Sequence, residues 1–187
     1  MSSLQIVPFE PEFHGTLVPS LTQILHLSYS VLAARGMRYH ASYQDADVTL
    51  ERLLEGESYL AFFNDELVGT ITLVTSAPSS VCDWYRRPRV FHFGQFAVHP
   101  DYQGRGIGSR MMELVETRAF ELGAEELALD TAEHADHLIE MYSNRGYRFI
   151  EHVQWEITNY RSVILSRHLR PTVTKHLSEQ PHEGPPQ

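Results

Sequence analysis

An α/β fold, a mixed central β-sheet flanked by helices, is what the order of periodicities along this chain predicts. Three observations carry the prediction. Short β-branched and aromatic runs alternate with segments whose apolar residues recur at helical spacing, in the order β-α-α-β-β-β-α-β-α-β-β. The helical segments are closed by glycines, at Gly36, Gly56, Gly123 and Gly146. The 187 residues are 42% hydrophobic and 21% charged, which suits one globular domain with a sizeable core.

Leu4 to Phe9 reads as the first strand. Leu17, Leu21, Ile24, Leu25 and Leu32 then define one helix face, giving a helix to about Ala34. Ser42 is placed to cap a second helix, with Val48, Leu50, Leu53 and Leu54 on or near its buried side. Tyr59–Phe63 and Leu67–Val74, separated by Asn64-Asp65-Glu66, read as a hairpin. Thr75 to Arg89 is rich in proline, serine and arginine and reads as a loop. Val90–Val98 is a strand, Gly108–Leu122 a helix, Leu127–Thr131 a strand and Asp136–Arg145 a short helix. Tyr147–Glu156 and Arg161–His168 complete the sheet. Residues 4–169 are thus expected to form one domain, with 170–187, rich in proline and polar residues, a disordered tail.

Composition narrows the function. Fifteen basic against twenty-four acidic residues give a formal net charge of −9, so no nucleic-acid partner is expected, whereas a cationic substrate such as an amine is compatible. The one cysteine, Cys82, excludes an internal disulfide and a cysteine-based cluster, and the eleven dispersed histidines show no metal-binding spacing, so no metal is expected. No apolar run reaches the length of a membrane span, and the first residues lack the basic and apolar regions of a secretory signal. The expected address is cytoplasmic, with no membrane partner.

The chemistry concentrates in Gln95-Phe-Ala-Val-His-Pro-Asp-Tyr-Gln-Gly-Arg-Gly-Ile-Gly-Ser109. A strand ends near Val98 and Pro100 prevents its continuation. Gly104, Gly106 and Gly108 then let backbone N–H groups converge at a helix start, where the exposed donors and the helix dipole make an anion site. The Walker lysine and the dinucleotide spacing are both absent. Ile107, Met111, Leu114, Val115, Ala119 and Leu122 line one face of the helix that follows.

The run Phe96-Ala-Val-His-Pro-Asp-Tyr-Gln-Gly-Arg-Gly-Ile-Gly-Ser-Arg-Met-Met112 resembles the signature of the GNAT acetyltransferase superfamily, whose acyl-CoA loop has the form Q/R-x-x-G-x-G/A, here Gln103, Gly106 and Gly108. Leu138-Ile-Glu-Met-Tyr142-Ser-Asn-Arg-Gly146-Tyr147 resembles a second family pattern, from helix to strand. The resemblance implies a sheet splayed at the acyl-CoA site and acetyl-CoA as co-substrate. Phe96, Ala97 and Val98 would then meet the pantetheine arm and thioester, and Gln103, Gly104, Arg105, Gly106, Ile107, Gly108 and Ser109 the pyrophosphate. It further implies that Tyr142 protonates the departing thiolate and that His92, six residues before Val98, is the base for the amine. Asp130 and His134, around the end of the following strand, are secondary alternatives to His92, and a turn cap is the plain structural role for Asp130. Ala135 stands where the family often has an asparagine. Arg35, Arg38, Tyr39 and His40, and then Trp84, Tyr85, Arg86, Arg87 and Arg89, fall in the two segments that vary with substrate in such proteins.

The expected activity is transfer of an acetyl group from acetyl-CoA to a primary amine by direct attack. The acceptor would be a small molecule or a peptide or protein amine, and a homodimer is compatible. The alternative is a non-catalytic acyl-CoA sensor, which would need the loop but neither His92 nor Tyr142.

Overall fold

The computed structural model describes residues 3–75 and 77–170. Except for residue 170, the segment expected to be a disordered tail lies outside that range. The strands are β1 (Leu4–Pro8), β2 (Glu57–Phe63), β3 (Glu66–Val74), β4 (Val90–Val98), β5 (Glu126–Ala132), β6 (Arg148–Gln154) and β7 (Arg161–His168). They form one sheet in the order β1-β2-β3-β4-β5-β7-β6. Every neighbouring pair is antiparallel except β4 and β5. The β2–β3 turn is tight because Asn64 and Asp65, with φ of 51° and 66°, both take left-handed conformations that these side chains tolerate.

The helices are α1 (Pro11–His14), α2 (Val18–Ala34), α3 (Ala46–Leu54), α4 (Ile107–Glu121) and α5 (Asp136–Asn144). Strand alternation sorts them to opposite faces of the sheet. Leu60 of β2 packs with Val18, Leu21 and Leu53 of α2 and α3, whereas its neighbours Tyr59 and Ala61 pack with Met111 and Val115 of α4. Tyr142 of α5 joins the α4 side.

Three expectations are corrected. Ser42 does not cap α3; it lies in a short 3₁₀ turn, His40–Ser42, and donates its hydroxyl to the Tyr39 carbonyl at 2.6 Å. Asp45 caps instead, its Oδ1 accepting from the Val48 N–H at 2.9 Å. The shift carries Leu54 off the buried side: it is 57% exposed, while Thr49 and Leu53, four residues apart on one face, are buried. Finally, Pro11–Ala34 is long and apolar enough, by length and composition, to cross a membrane. In the fold a 3₁₀ turn at Gly15–Leu17 interrupts it, and Leu21, Ile24 and Leu25 of its main helix are buried in the core.

Candidate active site

The site begins where β4 and β5 part. These strands pair in parallel only from Val90↔Glu126 to His92↔Ala128, and beyond that point they separate. A bulge in β4 sits just past the separation. Thr70 pairs with Ala97 but Thr72 with Gly94, and Gln95 takes a φ of +47°. The Gln95 side chain stabilises that conformation from the α3 face: its Oε1 accepts from Gln44 at 2.9 Å and its Nε2 donates to the Thr49 carbonyl at 3.0 Å.

Past the bulge, the backbone decides what faces the gap. The His99 N–H donates to the Val68 carbonyl of β3 at 2.7 Å, so period-two alternation turns the Ala97 peptide groups toward β3 and those of Phe96 and Val98 toward the gap. The carbonyls on that side are taken by other elements. Tyr29 of α2 donates to Phe96 O at 3.0 Å, and Ser28 and Gln103 donate to Val98 O at 2.9 and 3.0 Å. The gap-facing N–H groups thus point into the cleft on a strand anchored through its carbonyls.

The loop from Gln103 to Ser109 leads from the end of β4 into α4. Gly104 and Gly106 have φ of +73° and +79°, conformations that strain residues bearing a Cβ. Gly106 occupies the N-cap without any side-chain cap, so the first N–H groups of α4 are left for a ligand. Gly108 is crowded instead, since a Cβ there would come 3.2 Å from the Phe96 ring. Arg105, within the loop, turns its guanidinium back to 5.2 Å from the Tyr102 ring centroid.

A cavity of about 290 Å³ occupies the gap and continues onto the α2–α3 face. Its walls are largely aromatic, with Tyr29, Tyr39, Tyr85, Phe93, Phe96, Tyr142, Trp155 and Tyr160 all contributing. The structure therefore brings His92 and Tyr142 into one chamber, from β4 and α5. Tyr142 is buried, and desolvation holds its phenol protonated well above the usual tyrosine range. His92 stacks on Tyr85 with ring centroids 4.1 Å apart and planes 8° from parallel, and its Nδ1 is buried with no partner among the described residues. Burial pushes the imidazole down to about 4.

That depression has a consequence for stability. The unfolded chain takes up the proton near 6.5 and the folded chain only near 4, so the unfolded state binds more protons between these values. Stability therefore falls as pH drops through that window. His92→Phe, which keeps a ring against Tyr85, is expected to flatten this acid limb. Thermal unfolding from pH 7 to pH 4 should show a shallower decline for the variant than for the unaltered chain.

Other expectations come out differently. Asp130 caps no turn: it lies within β5 and lines the cavity, its Oδ2 accepting from Trp155 Nε1 and Ser162 Oγ, both at 3.0 Å. Although its side chain is open to the cavity, protein surrounds it closely enough for desolvation to raise its carboxyl. His134 is exposed beside Glu133. Ala135 is buried beside Leu32, Met37 and Tyr39, where an asparagine side chain would meet apolar neighbours.

The arginines of the two variable segments do not converge. Arg35 is exposed, Arg38 covers the Tyr43 ring and Arg87 the Trp84 ring, while Arg86 pairs with Asp83 and Arg89 with Glu125. The cavity's guanidinium is Arg52 of α3, whose Nη1 donates to Gln44 Oε1 at 2.7 Å. Its signal in the sequence was an arginine three residues after Thr49 and next to Leu53, on the inner side of a short helix.

An opened parallel strand pair, with an uncapped helix start at one end and an aromatic-lined cavity at the other, defines an acyl-group transferase. Residues 19–147 match the model of the acetyltransferase (GNAT) family, and the chain belongs to that family. A relative from Bacillus subtilis (strain 168), S-(2-succino)cysteine N-acetyltransferase, is 27% identical over 146 residues, covering 74% of this chain and 84% of its own. The fold is similar to that of a GNAT family acetyltransferase from Elizabethkingia anophelis with acetyl-CoA bound, at a TM-score of 0.61 and 19% identity, covering 89% of this chain and 98% of the other. It is also similar to an acetyltransferase from Salmonella typhimurium with its cofactor acetyl-CoA, at 0.62 and 16%, covering 91% and 96%.

Proposed function

We propose that this chain transfers the acetyl group of acetyl-CoA to the nitrogen of a primary amine by direct attack. The observation that carries this reading is the placing of the uncapped start of α4 and the gap-facing N–H groups of Phe96 and Val98 at the end of the strand whose His92 shares a cavity with Tyr142. The backbone from Gln103 to Ser109 holds the pyrophosphate. The Val98 N–H faces the thioester oxygen, where negative charge develops as the amine attacks. As the C–N bond forms and the C–S bond breaks, Tyr142, protonated at every working pH, donates a hydrogen bond to the departing sulfur. His92, a neutral imidazole, takes a proton from the nitrogen after attack, when that nitrogen is far more acidic than a free ammonium ion. Per turnover one proton goes to the thiolate and one to solvent.

The test is release of CoA thiol from acetyl-CoA across a panel of amines, with the acetylated product identified by mass spectrometry. Acetyl-CoA binding with no release for any amine would count against transfer and for an acyl-CoA sensor.

A further inference from the structure

The cavity carries two opposite charges that do not meet. Asp130 enters from β5 and Arg52 from α3, on opposite sides of the gap. The guanidinium is near enough to lower the proton affinity of the carboxyl, yet the two are farther apart than the 4.0 Å of an ion pair. Each is held on one side only. Asp130 receives both Trp155 and Ser162 on Oδ2, leaving Oδ1 without a described partner. Arg52 is held by Gln44 through Nη1, while its Nη2 lies beside Gly94, 3.8 Å from where a Cβ would be, on the gap strand. Neither forms an ion pair with any described residue, although Glu55, at the cavity rim, is near enough for Arg52 to offset part of the rise that burial gives its carboxyl. The histidines of the wall, His40 and His92, and its tyrosines, Tyr29, Tyr39, Tyr85, Tyr142 and Tyr160, are all shifted by burial toward the neutral form.

Two fixed, unmatched charges of opposite sign across one aromatic-walled chamber are the complement of a zwitterion. We infer that the acceptor is a free amino acid or related amino carboxylate, its ammonium group on Asp130 Oδ1 and its carboxylate on the free side of Arg52. This rests on the acetyl-transfer reading above and names the substrate class of the same site. The roles follow from the chemistry. The ammonium gives one proton to Asp130, and the neutral amine so formed attacks the thioester. Desolvation by the surrounding protein, which raises the Asp130 carboxyl, helps that step, because a desolvated carboxylate–ammonium pair shifts toward the neutral acid and amine. The aromatic walls are left to take the acceptor's side chain.

The experiment pairs each common L-amino acid with its C-terminal amide, at fixed acetyl-CoA, and measures kcat/KM from CoA release. The expected result is that the best acid exceeds its amide at least 30-fold. Arg52→Gln should remove that preference by lowering the rate with the acid while leaving the amide rate within about twofold. Asp130→Asn should lower both about 100-fold, and Asp130→Glu should recover part of the loss. Acetyl-CoA affinity should stay within twofold in all three variants, which separates these effects from loss of fold. Amides used as well as acids, or an Arg52→Gln loss equal for both, overturns the inference. If no pair releases CoA, the transfer reading fails, and binding decides the inference separately. The indole Nε1–H resonance of Trp155, read in the CoA-loaded protein, should then shift with an amino acid and not with its amide; equal shifts, or none, overturn the zwitterion site.

Discussion

Gly106→Val is expected to weaken acetyl-CoA binding at least 100-fold, about 2.7 kcal/mol, in a protein that still folds. Gly106 has φ +79° and ψ 0° at the N-cap of α4, and a β-branched residue there costs on the order of 1–3 kcal/mol in backbone strain. The structure can relieve that strain by turning the peptide groups of 104–108, the donors proposed above to hold the pyrophosphate. A Cβ at this position meets no protein atom within 4 Å, so the loss should fall on the ligand rather than on packing. Gly123 supplies the control. It has φ +90°, an equally open Cβ position and a place at the far end of the same helix. Gly123→Val should lower the melting temperature comparably while acetyl-CoA affinity by calorimetry stays within twofold. Retained affinity in folded Gly106→Val would remove the loop from the cofactor site.

Tyr142→Phe is expected to lower kcat about 100-fold with KM for acetyl-CoA changed less than threefold, the pattern of an interaction made mainly in the transition state. The ring packs among Phe93 and Tyr147, with centroids 6.3 and 5.9 Å away, and phenylalanine retains that packing. Among the described residues none hydrogen-bonds the hydroxyl, so its removal should leave the melting temperature within about 2 °C. Because burial holds the phenol protonated well above its ordinary range, the unaltered protein should show no alkaline loss of rate due to Tyr142 ionisation. The variant's rate should be lower at every pH, with the profile unchanged in shape. A variant as fast as the unaltered chain would restrict Tyr142 to packing.

The two signature stretches were legible because their information is local. Three glycines within five residues at a strand-to-helix junction state a backbone geometry, and Gly104 and Gly106 take the left-handed conformations that permit it. The strands were legible for the same reason: alternation or an apolar run is visible within a few residues, and their order determines most neighbours. Ser42 misled because a hydroxyl suits a cap wherever it stands. The turn at His40–Ser42 used that hydroxyl first and left the cap to Asp45.

The sequence by itself determined an α/β sheet, a glycine-rich helix start after the strand ending at Val98, and the superfamily resemblance built on it. Those features depend on contacts between residues near one another in the chain. The tertiary structure alone decided which distant side chains share the chamber. Arg52 on a short helix, Asp130 on β5, His92 on β4 and Tyr142 on α5 are brought together by a bulge at Gln95 and by two parallel strands that separate after His92. No local pattern records that juxtaposition, because it follows from strand pairing and helix packing between residues up to ninety positions apart. The same packing set the charge states: desolvation, absent from any residue's own identity, makes His92 a weak base and keeps Tyr142 protonated.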